Sequence, residues 1–160
     1  MSLYQWLLFF HVTGAFFLIG GIVVAGILNL TAIGADRRPS EVAMLYGLIR
    51  FAVPLIGVGL LLTLVIGLWL VHESPWNYGY GDGWVIAALV LWVAASALGN
   101  IDGRYQRKTG ELAQRLASEG DAPSPELRAR LRNPVALAIS YGSGLMAFAV
   151  LAIMIWKPGA

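Results

Sequence analysis

The stretch LLFFHVTGAFFLIGG, residues Leu7 to Gly21, is almost wholly apolar and carries one imidazole, His11. An ionisable side chain inside an apolar segment of this kind is costly, and it marks a candidate functional residue. Neutral imidazole is a common ligand of metals and of haem iron. His11 is therefore a candidate cofactor-binding residue, either an axial ligand to haem b or a group that exchanges a proton with a quinone. The plainer alternative is a neutral ring hydrogen-bonded to a neighbouring helix or an interfacial water. A second histidine, His72, is followed by Glu73 and ends the second apolar run. It is a further candidate, partnering His11 on one haem. A structural zinc site takes four ligands, and His11, His72 and Glu73 are too few, so no metal site is expected.

The remaining polar groups fall near span ends. Asn100, Asp102 and Arg104 follow the third apolar run, Asn29 and Thr31 end the first, and Arg50 lies near the start of the second. An Asp102–Arg50 or Asp102–Arg104 pair would neutralise charge there. Tyr141 lies in the fourth run, as a core aromatic or a hydrogen-bond donor. The sequence has no phosphate-binding loop, no nucleophile elbow and no HExxH helix. It has no cysteine, which excludes thiolate chemistry and disulfides. GYGDG, from Gly79 to Gly83, follows no strand and reads as a turn. No catalytic residue is assigned.

These residues must be positioned by apolar elements. The chain has 160 residues, 58% hydrophobic and 12% charged, with a mean hydropathy of +0.71. A soluble domain carries about twice that share of charge. Four apolar runs stand out: Leu3 to Ile33, Leu48 to Val71, Gly83 to Ile101 and Val135 to Trp156. Each is long enough for a hydrocarbon core about 30 Å thick at about 1.5 Å per residue. None alternates as barrel strands do. The fold class is all-α, a four-transmembrane-helix bundle forming a single integral membrane domain over residues 1–160. The first run lacks the basic flank and short core of a secretion signal and reads as a retained span. Pro39-Ser40-Glu41 signals a helix start with Ser40 as candidate N-cap, and Pro54 a bend in that helix. Between spans three and four, Thr109 to Ser118 and Ser124 to Arg132 read as short polar helices. The second of these suits either an anionic leaflet or solvent.

Ten of the eleven Lys and Arg residues lie in or beside the first and third loops. The positive-inside rule then puts those loops in the cytoplasm and both termini outside. The same clustering accounts for the pI near 9.2, so no nucleic-acid partner is expected. Trp6, Trp69, Trp76, Trp84 and Trp156 fall at outer span ends as an aromatic belt. Gly14, Gly21 and Ala25 form a small-residue stripe on span one, and Ser140 and Gly144 another on span four, suited to close helix packing.

The opening LLFFHVTGAFFLIGGIVVAG, the segment Ala35-Asp36-Arg37-Arg38 and the pair Val53-Pro54 resemble the domain-of-unknown-function 2269 family of predicted four-helix bacterial membrane proteins. That resemblance implies a fold and a location in the bacterial plasma membrane, and no activity. A more distant likeness is to the HemJ-type protoporphyrinogen oxidases and the copper-resistance D family, which also place a histidine followed by glycine in the first span. In the HemJ type it implies a haem ligand at His11 partnered by a lysine of a later span. Here the only lysines are Lys108 and Lys157, neither well inside a span.

Because no catalytic set converges, the expected function is non-enzymatic: an accessory or structural subunit of a larger membrane complex, respiratory or electron-transferring, or a homo-oligomer. The alternative is a b-type haem or quinone-linked redox protein centred on His11. A small transporter comes third, since ionisable groups are nearly absent at mid-membrane.

Overall fold

The computed structural model describes residues 2–34 and 37–158; Ala35 and Asp36 of the basic segment lie outside them. The described residues form five helices: α1 Leu3–Ile33, α2 Pro39–His72, α3 Gly83–Ser118, α4 Pro125–Leu131 and α5 Pro134–Trp156. Four helical stretches are long and apolar enough to cross a membrane: α1, α2, α3, and the stretch made of α4 and α5. Helices satisfy their own backbone groups, which lipid cannot do.

The helix ends follow local chemistry. Ser2 caps α1, its Oγ accepting from Gln5 N at 3.3 Å while Gln5 Oε1 accepts from Ser2 N at 2.9 Å. Asn133 Oδ1 caps α5, accepting from Val135 N and Ala136 N, with Pro134 in the first turn. Ser124 caps α4 through Leu127 N, as its sequence suggests. α2 differs from its expected start. Arg38 is the N-cap residue and Pro39 the first helical residue, because proline's fixed φ suits that position and its missing N–H costs nothing there. Ser40, freed from capping, binds Asp121 instead. Its backbone N–H and its hydroxyl each donate to that carboxylate at 2.7 Å. This paired contact holds Asp121 below the usual carboxylate range.

α3 also differs from expectation. The polar segment after Ile101 is not a separate helix but continues the third span to Ser118. No proline interrupts it, and the Arg107–Glu111 and Arg115–Glu119 pairs support its exposed faces at i,i+4 spacing. This extension packs with the start of α2 and with α4. Val42, Leu112, Ala113 and Leu127 are buried together there. Leu127 is 2% exposed, so it faces the protein and not a lipid leaflet. Arg130 ties the cap to α3: its Nε donates to Thr109 Oγ1 at 3.0 Å, and its guanidinium lies over the Tyr105 ring.

In the spanning region the helices pair as two hairpins. α1 lies along α2, and α3 along α5; α2 meets α3 less extensively, and α1 barely touches α5. Glycine makes the first pairing close. A methyl group at Gly59 would sit 2.5 Å from Leu18 N and 2.7 Å from the Gly14 carbonyl oxygen. Gly14 and Gly21 press equally closely against Leu62 and Ile56. Small residues allow such contact between membrane helices.

Candidate functional site: a cleft between the hairpins

Because the hairpins meet mainly along α2 and α3, an open cleft of about 1850 Å³ lies between them, lined by all four long helices. It runs from Tyr4 and Lys157 near the termini to Arg104 and Gln114 near the other end. Its walls are chiefly aliphatic. Gly26, Gly57, Gly99 and Gly103 lie along them with open space where a side chain would stand.

His11 stands half-buried on the α1 wall. Gly67 of α2 makes the space for its ring: a methyl group there would lie 2.9 Å from Cε1 and 3.2 Å from Nδ1. Nδ1 is buried without a hydrogen-bond partner; the Thr63 carbonyl flanks the ring, but no well-formed bond joins it to Nδ1. On α3, one turn apart, Trp92 Nε1 and Ser96 Oγ are also buried and unpartnered, and both residues line the cleft. A largely apolar cleft with a few polar residues along it is the usual character of a small-molecule site.

His72 lies elsewhere. It is exposed at the end of α2 and is not part of the cleft wall. The structure therefore brings His11 together with Gly67 and Thr63, and leaves His72 apart from that wall. Glu73 beside it is exposed too, and no group of three metal-ligating side chains occurs among the described residues.

Asp102 pairs with neither Arg50 nor Arg104 among the described residues. Gln106 Nε2 donates to its Oδ2 at the close distance of 2.6 Å, and the Ser140 hydroxyl faces it from α5. The Gln106 amide, one turn along the same helix, is nearer than either arginine and carries no second charge to desolvate. Nearby, the Tyr46 hydroxyl donates to Asn29 Oδ1 at 2.8 Å and joins α2 to α1. Tyr141 is 40% exposed and lines the cleft.

At the terminus end, Lys157 closes the cleft over aromatic rings. Its Nζ lies 4.6 Å from the Tyr78 ring centroid, 5.5 Å from that of Trp84 and 5.6 Å from that of Trp76. Lys157, at a φ of +42°, ends α5, and it is its side chain that reaches over these rings. Sequence reading missed this cage, as it missed the roles of Gly67, Trp92 and Ser96. Lys157 is separated in sequence from Trp76 and Tyr78 by the third and fourth spans. The outward-looking belt pattern of tryptophans hides which rings turn inward.

No curated protein and no solved structure matches the chain. A family model does, over residues 5–158, and its description is "Predicted integral membrane protein". That match covers nearly the whole chain, and the protein thus belongs to the DUF2269 family of predicted integral membrane proteins.

Proposed function

We propose that this protein holds a hydrophobic small molecule inside the bilayer, in the cleft between its two helical hairpins, with His11 as the principal polar contact. The carrying observation is the cleft lined by all four long helices, with His11 on its otherwise chiefly aliphatic α1 wall. Trp92 and Ser96 line the cleft from α3. Haem b and a quinone are two molecules of this class. Were haem the molecule, His11 would be the residue to hold its iron. The basic loops face the cytoplasm of a bacterial plasma membrane in this reading, because the positive-inside rule places them there.

The test is purification in mild detergent, followed by organic extraction with mass spectrometry and by oxidised and dithionite-reduced absorption spectra. One hydrophobic molecule per chain is expected. Gly99→Leu, which places a side chain in the open space of the cleft, should lower its occupancy at least tenfold, and His11→Ala should weaken it. Reduced α and β bands would identify haem. A chain that carries nothing, or whose occupancy neither substitution changes, would sink the proposal.

A second reading has its own support. Gly99 and Gly103 stand one turn apart on a bare wall, a surface suited to another membrane helix. A partner helix seated there would make the protein an accessory subunit. A photo-crosslinker at position 99 separates the two: a crosslinked polypeptide supports the subunit, and a crosslinked lipid or small molecule supports the binding protein.

A further inference from the structure

The two ends of the cleft differ in charge. The terminus end is closed by Lys157 over Tyr78 and Trp84, and the cation there is already held by aromatic faces. The other end is lined by four basic side chains, Arg50, Arg104, Arg107 and Lys108, against two carboxylates, Asp102 and Glu111. Glu111 stands 3.9 Å from Arg107, and Asp102 is bonded to Gln106. Arg50, Arg104 and Lys108 have no ion-pair partner among the described residues. Arg50 approaches from α2, with its guanidinium over the Phe51 ring, and Arg104 and Lys108 approach from α3. Two helices therefore offer uncompensated positive charge to the same mouth.

Depth adds a second constraint. Gly67 marks the level of His11 on α2, and Arg50 lies seventeen residues away on the same helix. At about 1.5 Å per residue that separation is roughly 25 Å. An occupant reaching from the basic mouth towards His11 is long and apolar along its body, with an acidic group at one end. Guanidinium and ammonium groups recognise phosphate and carboxylate oxygens through charge-assisted hydrogen bonds.

We infer that the cleft takes an anionic membrane lipid, its phosphate head group held at the loop-end mouth by Arg50, Arg104 and Lys108 and its acyl body lying in the cleft towards His11. This inference rests on the ligand-binding reading above and narrows it. A neutral quinone head or a haem confined beside His11 would leave the basic mouth unused.

Native mass spectrometry of the full chain in mild detergent tests it, with equal amounts of phosphatidylglycerol and phosphatidylcholine of identical acyl chains. Wild type should retain phosphatidylglycerol at least tenfold over phosphatidylcholine. The combined substitution Arg50→Gln, Arg104→Gln and Lys108→Gln should bring that ratio close to one while lipid is still retained. Arg115→Gln, at a residue of α3 that does not itself line the cleft, should leave the ratio unchanged. Equal retention of both lipids by wild type would overturn the head-group assignment and leave the cleft reading standing. Retention of neither would count against both. A preference that survives the triple substitution, or falls equally with Arg115→Gln, would overturn the role of these three residues. Displacement of the lipid by excess inorganic phosphate would show that the mouth takes a free anion, and would overturn the assignment to a lipid.

Discussion

Gly57 and Gly59 are two residues apart on α2, yet a methyl group should act oppositely at each. At Gly59 the added carbon would meet Leu18 N at 2.5 Å, the Gly14 carbonyl oxygen at 2.7 Å and Leu18 Cα at 2.8 Å. All three are backbone atoms, so no rotamer change relieves the clash. α1 must move away by several tenths of an ångström to about 1 Å, and gaps of that size forfeit a quarter to a half of each dispersion contact they open. Overpacking of this kind costs about 1–3 kcal/mol, and a clash against backbone belongs at the upper end. The alanine itself favours the helix by about 1 kcal/mol over glycine. Gly59→Ala should therefore destabilise the protein by about 2 kcal/mol, whereas Gly57→Ala, with nothing within 4 Å, should be neutral or stabilise by up to about 1 kcal/mol. Reversible unfolding in mixed micelles of mild detergent and sodium dodecyl sulfate, followed by far-ultraviolet circular dichroism, measures both. Equal stability of the two variants would refute the close α1–α2 crossing.

Tyr46→Phe removes the donor to Asn29, which is 6% exposed, and should cost about 1–3 kcal/mol in the same unfolding assay; no change would mean the pair is not formed. Leu127→Ala opens the cluster beneath α4 and should cost about 2–4 kcal/mol locally, seen as faster proteolysis between α3 and α5 with the spans intact. Asp121 has a lowered folded pKa because Ser40 donates to it twice, so its contribution is complete above its unfolded value of about 4 and is lost as pH falls through the lower folded value. Asp121→Asn should remove that acid-side loss from the pH profile of the thermal midpoint; an unchanged profile would assign the loss to other carboxylates.

The spans were legible because lipid imposes one demand on every residue inside it, and runs such as Leu3 to Ile33 and Val135 to Trp156 satisfy it visibly. Caps at Ser124 and the glycine contacts at Gly14 and Gly21 were legible for similarly local reasons. What sequence could not display was pairing at a distance. Ser40 looks like an N-cap until Asp121, eighty-one residues away, supplies a better acceptor. Asp102 looks like an arginine partner until Gln106, one turn along, proves closer. The end of α3 was misread because a fall in hydropathy after Ile101 marks the edge of the apolar zone, not the end of a helix. His11 was visible as an anomaly, but its setting depends on Gly67, and an unremarkable glycine in an apolar run carries no signal of the ring it accommodates.

The unequal packing of the helices also bears on how the chain is assembled. α1 and α2 are neighbours in sequence and make the tightest contact in the molecule, through Gly14, Gly21 and Gly59. That contact can form as soon as α2 leaves the ribosome, before α3 has been made. α3 must wait for α5, and meanwhile has only its thinner contact with α2. A chain stopped after His72 already contains every residue of the Gly14–Gly21–Gly59 crossing, so the first hairpin carries its closest packing within itself, whereas α3 gains its main partner only once α5 is present.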